Sequence, residues 1–305
     1  MNAREQWLVD RRCGLGGSDI GAILGLSQYR TPVDIWMEKT GRAAAQEETL
    51  QMRFGVYAEE FVAREYSART GLAVQRYKAM LHHPSAPLLG NVDRLVVPAG
   101  AKVASHKQKI RTDKGLECKT ASAFASFDAD EWGPEGTDLV PASYLVQCAT
   151  YMALTGCALW DLAVLFGNQE VRIYGLKRDA DLEDEILSRA AEWWERHVVA
   201  DVAPEPTCIA DVKSLYARVT DTTIDADEML IHWSHVAEDA AKKSGEYQSV
   251  ADTAKMHLLA AMRDAAVLRL DGNRAFRRKV IHKKEYVVEA TSYVDARLTT
   301  LRNEK

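Results

Sequence analysis

Helix and strand signals alternate along the first two hundred residues and then give way to one long helical rhythm, and no other feature divides this chain so sharply. Ser18 can cap a short helix over Asp19 to Leu24. Thr31-Pro32 opens a second, with Val33, Trp36 and Met37 on its apolar face and Gly41 at its end. A longer helix is expected from Gln46 to Thr70, closed by Gly71. Strands follow at Leu72 to Tyr77, Leu88 to Val97 and Gly115 to Lys119, short runs rich in β-formers and separated by turn chemistry. After Pro141 a helix carries Tyr144, Leu145, Cys148, Tyr151 and Met152 on one face and ends at Gly156. Strands at Ala158 to Phe166 and Val171 to Leu176 come next, and an acidic helix from Asp179 to Val199 closes the unit. This order predicts an α/β (α+β) fold with a central mixed sheet flanked by helices.

The run Ala203 to Thr207 (APEPT) reads as a linker, so the expected division is a core of residues 1–205 and a helical extension of residues 206–305. In the extension, apolar or small residues recur in steps of four and three at Met229, Trp233, Val236, Ala240, Tyr247, Val250 and Ala254. They predict one or two long helices, interrupted at Gly245. Strand-like runs Ala275 to Ile281 and Glu285 to Glu289, joined through His282-Lys283-Lys284, predict a terminal β-hairpin. With 305 residues and 47% hydrophobic content the chain can bury a full-sized core. No apolar run approaches the roughly 18 to 20 residues of a membrane span, and the N-terminus lacks a signal-like stretch, so a cytoplasmic protein without a membrane partner is expected. The five cysteines are odd in number and never two or three apart, which points to reduced, mostly buried thiols rather than disulfides or a zinc site.

The chemistry concentrates in Gly90-Asn91-Val92-Asp93 and, 24 residues later, Glu117-Cys118-Lys119. Alternate residues of a strand share a face, so Glu117 and Lys119 point one way while Cys118 enters the core, and Asp93 on a neighbouring strand can meet them. Two carboxylates hold a hard divalent cation such as Mg²⁺ through oxygen, and a lysine beside them can position or help deprotonate a water that attacks phosphorus. That is the logic of a metal-dependent nuclease. The triplet alone is weak, because Asp211-Val212-Lys213 repeats it without an apolar strand or an upstream aspartate. A solvated strand edge or a simple salt bridge is the competing reading of Glu117 and Lys119. His82-His83 beside Pro84 reads as a surface turn before it reads as a pair of metal ligands, and Trp193-Trp194 as packing at a helix end. Gly14, Gly16 and Gly17 lack a following Gly-Lys-Ser/Thr, which excludes a phosphate-binding loop of a nucleotide hydrolase.

A longer pattern adds to this. Trp7, Arg11, Gly16-Gly17-Ser18-Asp19-Ile20, Gly25, Tyr29 and Trp36, then Gly55 and Glu59, then Gly90-Asn91-Val92-Asp93, Glu117-Cys118-Lys119 and Tyr144 with Gln147, Tyr151 and Met152 resemble the YqaJ-like viral recombinase family, which includes the phage lambda exonuclease. The likeness covers about residues 7 to 200. It implies a PD-(D/E)xK nuclease core and 5′-to-3′ digestion of one strand of duplex DNA with Mg²⁺, two ions per site, Mn²⁺ substituting. By that resemblance Asp93 and Glu117 match the metal-binding acids, Lys119 the catalytic lysine, Glu59 a helix-borne acid near the metals, and the backbone carbonyl of Cys118 a further ligand. Gln147 matches a glutamine that frames the site, while Arg11 and Ser18 match residues that hold a 5′-terminal phosphate. It also implies a homotrimer, a single-strand annealing protein as partner, and a phage or prophage origin. Where some relatives place another acid this chain has His82-His83-Pro84.

The alternatives left open are a DNA-end or partner-binding module of the same fold with little nuclease activity, and an endonuclease. The net charge of −5, from 39 basic and 44 acidic residues, excludes a uniformly basic surface but not local patches. The loop from Ala101 to Lys114, with Lys107, Lys109 and Arg111, has a local balance of +4 and can grip phosphate or be a solvated hairpin tip. A second basic cluster, from Arg274 to Lys284, can touch DNA, a partner or only water.

Overall fold

The computed structural model describes residues 9–43, 49–98, 112–127, 131–218, 222–270 and 274–280. The chain divides into two compact units, Met1–Ser214 and Leu215–Lys305.

In the first unit the sheet has the order β1 (Ala73–Gln75), β4 (Arg94–Val97), β5 (Lys114–Ala121), β6 (Leu159–Phe166) and β7 (Glu170–Lys177). The β5/β6 pair is parallel and the other pairs are antiparallel, giving the mixed sheet expected from the alternation. β5 and β6 can run parallel because a helix, α4 (Ala142–Thr155), crosses over between them. On one face of the sheet α3 (Leu50–Thr70) lays down Val62, Ala63 and Tyr66 against Val96, Leu116, Cys118, Ala163 and Leu165. The Tyr66 hydroxyl donates to buried Asp161 at 2.6 Å, and Lys114 Nζ reaches the same carboxylate at 2.9 Å, so the one acid under α3 is neutralised. The odd-numbered residues of β5 face α4 instead. α1 (Gly17–Ile23) and α5 (Ala180–Trp193) pack on α4, and α2 (Pro32–Lys39) packs on α1.

Several element boundaries differ from those read off the sequence. The first helix begins at Gly17, with Gly16 as its cap, because the Asp19 carboxylate reaches back to the Gly16 N–H at 2.9 Å; Ser18 lies inside the first turn and is exposed. The helix expected from Gln46 starts at Leu50, capped by the Thr49 hydroxyl, and residues 46–48 lie outside the described ones. Gly71 ends it in the left-handed conformation, φ 73°. The run Leu88 to Val97 is two strands, β3 (Leu89–Gly90), which pairs with β2 (Leu81–His82), and β4, with Asn91-Val92-Asp93 between them belonging to neither strand. After α5 the last turns of the acidic helix widen into a π-helical segment, Trp194–Val199, whose His197 carbonyl accepts from Trp36 Nε1 at 2.9 Å. Asp211 of the weaker Asp-Val-Lys triplet is spent on structure. It opens the helix α6 (Ile209–Leu215) and accepts from Thr31 Oγ1 at 2.7 Å and Thr207 N at 2.8 Å.

The second unit contains α7 (Glu228–Met262), which runs unbroken through Gly245. One glycine costs a helix about 1 kcal/mol, too little to stop a 35-residue run. After it β8 (Val267–Arg269) pairs with β9 (Ala275–Arg277), and the run Glu285 to Glu289 of the expected terminal hairpin lies outside the described residues.

Gly115 is the tightest point of the sheet. It sits opposite Trp160 in the β5/β6 register, and a Cβ there would lie 2.3 Å from the buried indole ring. Gly115→Ala is therefore expected to lower stability by about 1–3 kcal/mol, the usual range for overpacking a filled core. Urea unfolding followed by tryptophan fluorescence checks this, and an unchanged midpoint would refute the packing argument.

Candidate active site

The break between β3 and β4 lifts Asp93 out of the sheet ladder just where β5 passes. Its Oδ2 accepts the Cys118 N–H at 2.9 Å, so the aspartate is fixed by the backbone of the strand that carries Glu117 and Lys119. Cys118 turns into the core under α3, and Glu117 and Lys119 turn to the opposite face, with Lys119 Nζ 2.8 Å from Glu117 Oε1. From α4, Gln147 Nε2 donates to the same Oε1 at 2.7 Å. The second oxygen, Oε2, is buried with no hydrogen-bond partner. A carboxylate whose one oxygen is doubly held and whose other is dry and bare is aimed at a cation.

The electrostatics agree with the geometry. Burial and the neighbouring charge of Glu117 hold the Asp93 carboxyl well above the usual carboxylate range. Burial would lower the Lys119 ammonium, but Glu117, Tyr151 and Asp93 together outweigh it and the net shift is upward, so Lys119 stays charged. The ammonium lies 5.8 Å from the centre of the Tyr144 ring. Buried Glu117 and half-buried Asp93 stand beside one lysine, and the carboxylate donors they offer are all oxygen. These residues fit a hard divalent cation such as Mg²⁺. Among the described residues no three His, Cys, Asp or Glu side chains converge as a complete ligand group.

Glu59 on α3 is placed differently from Asp93 and Glu117. Its carboxylate pairs with buried Arg94 and, at 3.3 Å, with Arg76, and Arg94 also donates to the Asp93 carbonyl at 2.7 Å and to Glu60 at 2.9 Å. Arg94 links the helix acid to the strand acid. Sequence reasoning missed it, because an arginine after an aspartate at a strand start carries no signal of its own.

Ser18 lies in the first turn of α1, and Arg11 reaches Asp19 of the same turn. A Cβ on Gly17 would meet Gln147 Cγ and the Tyr151 ring at 3.1 Å, so the first turn of α1 lies directly on the glutamine that holds Glu117. Tyr151 OH in turn accepts from Gln147 Nε2 at 3.1 Å. Arg11 belongs to a cluster built around Asp19, which is fully buried and receives Lys39 Nζ at 2.7 Å, Arg30 Nη1 at 2.9 Å and Arg11 Nη2 at 3.3 Å. Glu38 joins it through Arg30 at 2.5 Å and Arg11 at 3.4 Å. Three cations against two anions leave +1 beside the exposed Ser18. Arg30 and Lys39 were not marked from the sequence as part of this group. His83 Nδ1 accepts from the Ala86 N–H at 3.1 Å, the surface turn expected of it. Lys107, Lys109 and Arg111 lie outside the described residues.

The sequence matches the family model of the YqaJ-like viral recombinase domain over residues 6–158. It is 36% identical over 206 residues to the uncharacterized protein YqaJ of Bacillus subtilis (strain 168), a match that covers 66% of this chain and 59% of that protein. The chain thus spans about 59% of the length of the curated relative it matches. Among solved structures it is similar to LHK-Exo in complex with dAMP, with a TM-score of 0.50 and 18% identity over 70% of this chain and 98% of that one. A crystal structure of LHK-Exo described as an alkaline exonuclease from Laribacter hongkongensis gives 0.47 and 18%, over 64% and 93%. At these identities the likeness is one of fold. Among the described residues no helix is long and apolar enough to cross a membrane.

Proposed function

The chain belongs to the YqaJ-like viral recombinase domain family, and on that premise we propose that it is a Mg²⁺-dependent 5′-to-3′ exonuclease that resects duplex DNA ends and leaves 3′ single-stranded overhangs for recombination by strand annealing. The observation that carries this reading is the buried, unpartnered Oε2 of Glu117 next to Asp93, with Lys119 at hand. Asp93, Glu117 Oε2 and the Cys118 carbonyl are the groups that would hold the metal, with Glu59 as a further acid released from Arg94. When bound, two divalent ions supply an activated water and neutralise charge on the leaving oxygen. Lys119, kept protonated by Glu117, offers its remaining N–H donors to the attacked phosphate and to the incoming water. Gln147 fixes the Glu117 carboxylate so that its free oxygen does not rotate away.

Arg11 and Ser18 hold the 5′-terminal phosphate in this proposal, and the packing of Gly17, next to Ser18, on Gln147 supports a path for the next phosphodiester toward Glu117. The reading also includes a homotrimer and a single-strand annealing protein as partner. Digestion of linear and covalently closed duplex DNA, with Mg²⁺ and with a chelator, tests it. Linear DNA with 5′-phosphates is expected to be converted to nucleotides in Mg²⁺ only, faster than DNA with 5′-hydroxyls, and closed circles are expected to survive. Digestion in the chelator would defeat the metal proposal. Cutting of closed circles would identify an endonuclease, and binding without digestion an end-binding module.

A further inference from the structure

The long helix α7 has a purpose in neither the fold of the first unit nor the proposed chemistry. Its seam runs from Met229 to Ala261 in unbroken steps of four and three, nearly five heptads, and every residue of the seam is exposed among the described residues, Trp233 to 59% and Tyr247 to 76%. A helix without tertiary packing is marginal in water, and a sustained 3.5-residue apolar repeat is the pattern of a coiled coil. We propose that α7 pairs with α7 of a second copy of this chain, antiparallel, about a twofold axis at Gly245.

Size complementarity selects that arrangement. With the axis at residue 245, seam positions pair when their numbers sum to about 490, and each large side chain then meets a small or polar one. Val236 faces the partner's Ala254, Ala240 faces the partner's Val250, and Trp233 faces the partner's His257. In the twofold arrangement each contact occurs twice, as an isologous interface requires. The centre is Lys243, which stacks on the partner's Tyr247 and reaches the partner's Glu246 beside it. A parallel pair in register would instead stack Trp233 on itself, oppose Lys243 to Lys243 and leave voids at Ala240 and Ala254.

Charge favours the same direction. Residues 225–239 hold five carboxylates and no lysine or arginine, whereas residues 251–265, which face them in this register, hold Lys255 and Arg263 against Asp252 and Asp264, a balance of zero. In the antiparallel pair the acidic start of each helix faces this neutral stretch of the other, whereas a parallel pair in register sets five carboxylates beside five. The helix is about 52 Å long at 1.5 Å per residue, long enough for a seam of the order of the roughly 800 Å² per partner that a stable interface needs.

Light scattering on the full chain tests the pairing. The parent is expected to have twice the mass of the Val236→Glu/Val250→Glu variant, whatever number of copies the first unit brings together. Equal masses at micromolar concentration would overturn the proposal. Orientation is read separately by cysteine cross-linking in a background with exposed Cys13 and Cys208 replaced by serine. Val236→Cys with Ala254→Cys is expected to form an intermolecular disulfide, and Val236→Cys alone none. A disulfide from the single variant would show a parallel pair and overturn the antiparallel one.

Discussion

Asp93→Asn is expected to lower DNA hydrolysis by about a hundredfold to a thousandfold, the loss typical of removing one group that holds charge in an active site, and to raise the unfolding temperature in metal-free buffer. The two effects have one cause. Half-buried Asp93 lies beside buried Glu117, and desolvation together with the Glu117 charge holds the Asp93 carboxyl well above its usual range. A carboxyl whose folded pKa exceeds its unfolded value favours the folded state while protonated and loses that contribution as pH rises through the folded pKa. Near neutral pH the metal-free parent therefore carries an uncompensated repulsion that the asparagine removes. The amide oxygen still accepts the Cys118 N–H that Asp93 now accepts at 2.9 Å, so the strand stays in place. Thermal unfolding in a chelator and in millimolar Mg²⁺ separates the terms. The parent gains stability on adding Mg²⁺ and the variant does not, while in acid, below about pH 4, the two converge. A variant that is less stable in chelator, or that keeps the Mg²⁺ shift and the hydrolysis, would show that Asp93 is a structural acid.

The sequence carried most of the sheet and the central acids, and the reasons are local. β5, α4, β6 and β7 each obey their own periodicity, so Cys118 could be assigned to the core and Glu117 with Lys119 to the other face before any tertiary contact was known. The break at Asn91 to Asp93 was not legible, because Leu88 to Val97 has strand composition throughout and only pairing decides where a ladder stops. The Asp19 group was hidden for a different reason. Residues 11, 19, 30, 38 and 39 share no period, and they meet only because α1 packs on α2. Ser18 is the stronger cap by residue type, yet the structure uses the carboxylate at the third helical position, since Asp19 can serve Gly16 and three cations at once. Gly245 does not end α7, because one glycine costs a 35-residue helix too little to break it.

Asp19→Asn is expected to cost about 3–5 kcal/mol, the penalty for removing one partner from a buried ion cluster and leaving the other uncompensated. Lys39 Nζ is completely buried and 2.7 Å from Asp19; without that charge it keeps only the Arg11 carbonyl at 3.0 Å and Glu38 at 3.4 Å. Burial alone would raise the Asp19 carboxyl, but Lys39, Arg11 and Arg30 overcome it and hold the pKa at about 2. A folded pKa below the unfolded value of about 3.9 means that the cluster stabilises the protein above roughly pH 4 and is lost as pH falls toward 2, a linkage of about 2.5 kcal/mol. The gap in urea stability between parent and variant should therefore be wide at pH 7 and should narrow between those two values. A gap that is equally wide at both ends would mean that the loss comes from packing and not from charge. The functional consequence is separable from folding. Asp19 is what fixes the Arg11 guanidinium beside the exposed Ser18, so at a temperature well below its own midpoint the variant should digest 5′-phosphorylated and 5′-hydroxyl ends at more nearly equal rates. If the preference for the phosphate survives intact in a folded variant, Arg11 is held by Glu38 alone and the buried aspartate serves only the fold.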